Sequence, residues 1–217
     1  NDKNLISYLL TPFTIFTNLI NFSKSFLIKK KYKIKTICVG NIYIGGTGKT
    51  SLSIQINKIL KNKFKTVFIK KKYLDQLDER KMLKAHGNLI SDQNRGISLD
   101  KAVVRKFDLA ILDDGLQDKK IDYDISIACF NSTYSIGNGY LLPAGPLREK
   151  LEILKNYSAI FLIGEKKNTK LSSILKKYNS KIFYSKYVPI NIKNFNRKKT
   201  YLYFCGIGNP EEFENTL

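Results

Sequence analysis

The chain has 217 residues, enough for one domain or two small ones and for a core that needs no disulfide or metal staples. Hydrophobic residues are 43% and charged residues 26%, which excludes a disordered tail or a collagen-like fibre. Lys and Arg number 38 against 18 Asp and Glu, a net charge of +20, so the expected partners are anionic: a nucleotide, a nucleic acid or an acidic membrane surface.

The first element lies within residues 4–23, NLISYLLTPFTIFTNLINFS, which carry no charge. Thr11, Pro12, Thr14, Thr17, Asn18 and Asn21 dilute the run, whereas a bilayer span asks for about 20 predominantly apolar residues. Leu9, Phe13, Phe16, Leu19 and Ile20 recur at helical spacing, so an amphipathic helix lying in a membrane interface is expected. The alternative is a helix packed on the protein's own core. Lys24, Lys29, Lys30, Lys31, Lys33 and Lys35 follow and suit an anionic cytoplasmic leaflet. A signal peptide is disfavoured, because the lysines come after the apolar run and no small-residue cleavage site is present.

From Ile34 onward short apolar runs alternate with helix-like stretches. Strands are expected at 35–40, 65–70, 108–114, 124–130, 158–164 and 181–188, and helices at 49–60, 79–84, 99–106 and near 171–178. Near-continuous apolar strands separated by helices predict an α/β fold with a largely parallel sheet. Beyond residue 188 the chain turns polar and basic, and a last strand is expected at 201–206. The expected organisation is an amphipathic segment at 1–33, a nucleotide-binding core at 34–188, and a linker with the start of a second lobe at 189–217. Cys38, Cys129 and Cys205 show no C-x-x-C spacing, and with His86 the only histidine a zinc site is disfavoured. Buried free thiols suit a reducing compartment.

The strongest chemical signal is NIYIGGTGKT at 41–50, placed between a strand and a helix as a phosphate loop requires. Gly45, Gly46 and Gly48 let backbone amides approach oxygens closely, with Ile44 and Thr47 completing the loop. Lys49 can bridge the β- and γ-phosphates of a nucleotide, and the Thr50 hydroxyl can hold Mg²⁺. Tyr43 occupies the slot of the usual first glycine. LAILDDGLQD at 109–118 reads as a Walker B strand ending in Asp113 and Asp114, carboxylates suited to ordering Mg²⁺. Asp78 and Glu79, in LDER, offer a general base and a metal contact, although a solvated acidic pair at a helix start has the same appearance. GNGYLLPAGPLRE at 137–149 is a stiffened loop ending in Arg148 and Glu149, fit to meet a phosphorylated ligand or to be an ordinary surface loop.

Taken in order, CVGNIYIGGTGKT, LDER, LDDGLQD, GNGYLLPAGPLRE and GIGNPEEF at 206–213 resemble the tetraacyldisaccharide 4′-kinase family over most of the chain. The resemblance implies a P-loop, three-layer α/β kinase that uses ATP and Mg²⁺. Its acceptor would be the 4′-hydroxyl of tetraacyldisaccharide 1-phosphate, on the cytoplasmic face of the bacterial inner membrane. It also implies Asp78 as the base toward the sugar hydroxyl, Lys49 and Asp114 as its companions in catalysis, and Arg148 at the nucleotide. Thr50, Glu79, Asp113 and Glu149 would stand at the metal. A monomer is expected, without nucleic acid; the abundant Lys, Asn, Ile and Tyr have A/T-rich codons, which explains much of the charge without such a partner.

Several positions depart from the family pattern. Lys70, Lys71, Lys72 and Tyr73 stand where a Ser-Arg-Gly-Tyr stretch is usual, with Lys71 as the candidate substitute for the arginine charge. Ser51 replaces a proline and Asp118 a histidine. The family's Asp-His-His segment is not present, so a kinase truncated after GIGNPEEF is expected, and His86 lies in the wrong place to supply the missing partner. The competing expectations are another P-loop NTPase, such as a GTPase of cofactor or metal insertion, and a catalytically incomplete nucleotide-binding fragment.

Overall fold

A computed structural model describes residues 4–73, 76–133, 135–165 and 168–189, together with 195–196, 198–202, 204–205 and 214. Seven parallel strands form one sheet: β1 (Lys35–Gly40), β2 (Thr66–Lys71), β3 (Leu89–Asp92), β4 (Leu109–Asp113), β5 (Ile125–Asn131), β6 (Ala159–Ile163) and β7 (Ile182–Ser185). Their order is β3-β2-β4-β1-β5-β6-β7.

Side chains alternate across the sheet with the period of two that a pleated strand imposes. Ile37, Val39, Phe68, Leu109, Ile111, Ile127 and Cys129 join one core with Leu52 of α3 (Lys49–Leu60) and Leu83 of α4 (Leu77–His86). Cys38, Val67, Ile69, Ala110, Leu112, Ala128 and Phe130 join the other. That second core takes in Leu99 and Ala102 of α5 (Arg95–Val104), and Leu171 and Leu175 of α6 (Thr169–Lys176). Burial on both faces explains why the strands read as apolar runs rather than alternating ones. The chain crosses from β1 toward β2 on one side and later from β4 to β5 on the other, so the carboxyl ends of β1 and β4 flank the switch point where such sheets receive ligands.

Two elements differ from expectation. β3, with the sequence LISD, is too short and too polar to announce itself, yet pairs with β2 from Phe68↔Leu89 to Lys71↔Asp92. The strand expected at 201–206 does not form at its described residues, Tyr201, Leu202, Phe204 and Cys205. GIGNPEEF lies outside the described residues, and the boundary expected near 188 borders on chain that is likewise outside them.

The amino-terminal run folds as α1 (Leu5–Leu10), a 3-10 turn at Thr11–Phe13 and α2 (Thr14–Ser25). Asn4 caps α1 through a reciprocal capping box with Ser7. Pro12 falls within the 3-10 turn. The 21 residues from Leu5 to Ser25 are long and apolar enough to cross a membrane, and nearly all of that surface is exposed.

Candidate active site

The loop after β1 is built to leave amides unpaired. Gly45 and Gly48 adopt φ +132° and +73°, a left-handed region that L side chains rarely enter. Gly46 has open space where a Cβ would stand. Asn41, fully buried, braces the loop from beneath by donating from Nδ2 to Thr47 Oγ1 (3.0 Å) and to the Gly45 carbonyl (3.3 Å). Among the described residues the amides of Gly45, Gly46, Thr47 and Gly48 meet no protein acceptor, whereas the Ile44 amide is committed to the Pro146 carbonyl at 2.9 Å. Four adjacent unpaired donors at the start of α3 form an anion cradle.

Tyr43 explains its own place in the glycine slot. Its side chain is buried with Leu141 and Leu147, and it bridges Leu147 across strands, so it fastens the phosphate loop to the 137–149 loop. Gly137 and Gly45 approach the Tyr43 ring closely enough that an added Cβ would touch it at 3.5 Å and 3.3 Å.

Opposite the loop, Asp113 ends β4 with no exposed surface. Its Oδ2 accepts from the Thr50 hydroxyl at 3.1 Å, and its Oδ1 from Ser53 Oγ at 3.3 Å. The same Oδ2 accepts from Lys70 Nζ at 2.7 Å, and Lys70 also donates to Glu79. Lys70 and Asp113 are direct neighbours in the β2–β4 register, on the α3/α4 face that Phe68 and Ile111 share. Glu79 reaches the cluster from the first turn of α4, and Asp78 beside it is exposed. The set fits Mg²⁺ in its nucleotide form: the Thr50 hydroxyl and the Asp113 and Glu79 carboxylates are hard oxygen donors, few enough that phosphate oxygens and water would complete the site. No cluster of three His, Cys, Asp or Glu side chains that would hold a metal without a nucleotide occurs among the described residues.

Asp114 turns away through a left-handed backbone, φ +57°. Its carbonyl accepts from Arg95 Nη2 at 2.5 Å and its carboxylate pairs with Arg148 Nη1 at 3.5 Å. Arg148 Nη1 also donates to Gln117 Oε1 (3.3 Å), and Gln117 in turn donates to the Asn41 carbonyl (2.6 Å). Arg95, Asp114, Asp118, Lys119 and Arg148 line a polar cleft of about 680 Å³. Glu149 is buried, with Oε1 paired to Lys119 at 2.7 Å and Oε2 accepting from Tyr157 at 3.0 Å.

The expected residues thus fall into two groups. Thr50, at the end of the phosphate loop, meets Asp113 directly, Glu79 joins them through Lys70, and Asp78 precedes Glu79 on the exposed first turn of α4. Asp114 and Arg148 share the polar cleft, and Glu149 is bound up with Lys119 and Tyr157. Lys70 and Ser53 are members that sequence reasoning missed. Lys71, the expected substitute for an arginine, lies over the Tyr73 ring, 5.0 Å from its centroid, and it is Lys70 that turns inward. The signal was a lysine at an inward position of an apolar strand. His86 closes α4 eight residues after Asp78, a separation of about 12 Å along the helix.

The model of one protein family, described as tetraacyldisaccharide-1-P 4′-kinase, matches residues 6–217. A tetraacyldisaccharide 4′-kinase of Pelagibacter ubique is 48% identical over 218 residues, covering 99% of this chain and 69% of its own length. One from Rickettsia canadensis is 34% identical over 234 residues, covering 99% of this chain and 71% of its own. Among solved structures, LpxK from Aquifex aeolicus in complex with ATP aligns with TM-score 0.58 and 21% identity, over 83% of this chain and 79% of that one. The hydrogenase maturation factor HypB from Archaeoglobus fulgidus aligns with TM-score 0.51 and 13% identity, over 70% and 81% of the two chains. At these identities the structural likeness is one of fold.

Proposed function

The chain belongs to the tetraacyldisaccharide-1-P 4′-kinase family, and from its site we propose that it moves the γ-phosphate of ATP to the 4′-hydroxyl of a tetraacylated disaccharide 1-phosphate. It is a kinase of a hydroxyl acceptor, and the family's ATP and Mg²⁺ suit the residues present. The observation that carries the reading is the unpaired amide cradle at 45–48 joined through Thr50 to the buried Asp113.

In this reading the cradle amides and Lys49 bind and orient the phosphates, and they neutralise charge where it accumulates on the transferring group. Thr50 and Asp113, with Glu79, would hold Mg²⁺, which when bound supplies further neutralisation of the phosphate oxygens. Asp78, exposed at the start of α4, accepts the proton of the attacking hydroxyl. Arg148, steadied by Asp114 and Gln117, presents a guanidinium to phosphate oxygens in the cleft.

The acceptor is an acylated lipid, and we place the chain on the cytoplasmic face of the inner membrane through α1 and α2. Two side chains support the link between that anchor and the site. Thr17 donates to the Leu142 carbonyl at 2.7 Å, and Asn21 donates to the Arg148 carbonyl at 2.8 Å. The exposed apolar surface of the anchor is therefore fastened to the loop that ends in Arg148.

The decisive experiment incubates the chain with Mg²⁺, γ-labelled ATP and tetraacyldisaccharide 1-phosphate in detergent micelles, beside Lys49→Ala. Label on the lipid that is lost in the variant is the expected result. Absence of label with the parent chain, or equal labelling by Lys49→Ala, overturns the assignment.

A further inference from the structure

Lys70 carries a charge where lysine is almost never found without a partner. It is 1% exposed, on a strand whose preceding residues Val67, Phe68 and Ile69 are all buried. Its ammonium joins Asp113 of β4 to Glu79 of α4, and Asp113 Oδ2 also takes the Thr50 hydroxyl of α3. Four elements therefore converge on one carboxylate.

The amino-terminal end of α4 has few other ties. Gln76, its N-cap residue, makes no side-chain capping bond. The buried anchor of the helix is Leu83, a turn and more downstream, and the bond from Asn57 Nδ2 reaches the His86 carbonyl at the far end. Among the described residues the ion pair to Lys70 is what fixes the turn that carries Asp78 and Glu79.

We propose that Lys70 is a positioning residue for phosphoryl transfer: its ammonium clamps Glu79, and with it the first turn of α4, to Asp113 beside the phosphate loop. The effect on transfer rests on the kinase reading, through Asp78; the clamp itself does not. A reacting group displaced by about 1 Å can lose on the order of a hundredfold in rate.

The test compares Lys70→Met, which keeps length and volume, with Lys70→Arg, which keeps charge. Hydrogen exchange of the 80–83 amides, which bond to the carbonyls of the first turn, is followed together with kcat, the KM for ATP and metal-free ATP binding. Lys70→Met is expected to speed exchange at 80–83 about tenfold or more while α3 is unchanged. It is also expected to lower kcat by about tenfold or more with the KM for ATP within about threefold. Lys70→Arg is expected to recover most of both. If Lys70→Met fails to fold because Asp113 is left uncompensated, Glu79→Gln opens only the outer bond and is expected to loosen the same amides. Unchanged exchange at 80–83 in the folded variants overturns the clamp. Metal-free ATP binding that weakens in step with kcat also overturns it, by assigning Lys70 to the nucleotide instead. If the parent chain phosphorylates no lipid, the kinase reading fails while the exchange data still decide the clamp.

Discussion

The proposed reading gives Asp78 and Asp113 different work, and their surroundings differ accordingly. Asp113 is fully buried and accepts from Thr50, Ser53 and Lys70, so it is held in one orientation beside the helix that follows the loop, as the proposed metal contact requires. Asp78 is exposed on the first turn of α4 and is open to an incoming hydroxyl. Asp78→Asn keeps the shape and removes the proposed base. It is expected to lower kcat by roughly 10²- to 10⁴-fold, with the KM for ATP nearly unchanged. A rise in that KM with kcat preserved would instead place Asp78 at the nucleotide. The thiols show the same dependence on surroundings: burial pushes Cys38 up to about 12, and Cys129 is also driven upward by burial, so both are poor nucleophiles in the folded chain. At this scale the left-handed loop glycines and the Thr50 hydroxyl facing Asp113 were legible, because each position asks for what its residue type provides. Tyr43 and Lys70 were not legible. The first is explained by Leu141 and Leu147, about a hundred residues away in sequence, and the second by a register neighbour on another strand.

The elements are joined at their starts by polar clamps as well as by apolar packing. Asp124, just before β5, accepts from the Thr36 amide (2.7 Å) and the Thr36 hydroxyl (2.8 Å) near the start of β1, and it pairs with Lys31 at 2.6 Å. Burial would raise its pKa, but the bonds from Lys31 and Thr36 outweigh that and hold the carboxyl below its ordinary value of 3.8. A depressed carboxylate contributes stability that is present above the unfolded pKa and is lost as pH falls through the folded one. Asp124→Asn is therefore expected to cost about 1 kcal/mol at pH 7, a figure kept small because the side chain is partly exposed. The gap from the parent should close as denaturation is repeated below about pH 4, where the carboxyl protonates. A gap that stays constant with pH would assign the loss to geometry rather than charge. Element type and order were legible wherever apolar runs were long, since β1, β4, β5 and β6 are covered on both faces. β3 was not, because four residues with two polar members carry too little pattern. Thr17 and Asn21 read in the sequence as dilution of an apolar segment, and the structure uses them as donors to the 137–149 loop.

At the scale of the whole molecule, part of the basic charge, the lysines at 24–35, follows directly on the exposed apolar surface of the amino-terminal helices. Phe13, Phe16, Leu19, Ile20 and Phe22 are all more than half exposed, an arrangement that water penalises and a bilayer interface rewards. Not all of the lysines that follow are free for lipid. Lys30 pairs with Asp100 and Lys31 with Asp124, whereas Lys24, Lys29 and Lys33 have no ion-pair partner among the described residues. Three such lysines near an anionic surface contribute about 3 kcal/mol at low salt. Raising salt from 0.1 M to 1 M shortens the screening length from about 10 Å to about 3 Å. Partition onto vesicles with anionic lipid is therefore expected to fall by roughly a hundredfold over that range, if this contribution is fully screened. Phe16→Lys is expected to weaken binding at every salt concentration, because it places a charge on the apolar face of α2. Sedimentation of the chain with vesicles of phosphatidylethanolamine and phosphatidylglycerol across the salt series measures both effects. Binding that ignores salt while responding to Phe16→Lys would assign the attachment to apolar burial alone. Binding insensitive to both would remove α2 as the contact and leave the amphipathic segment to pack against protein.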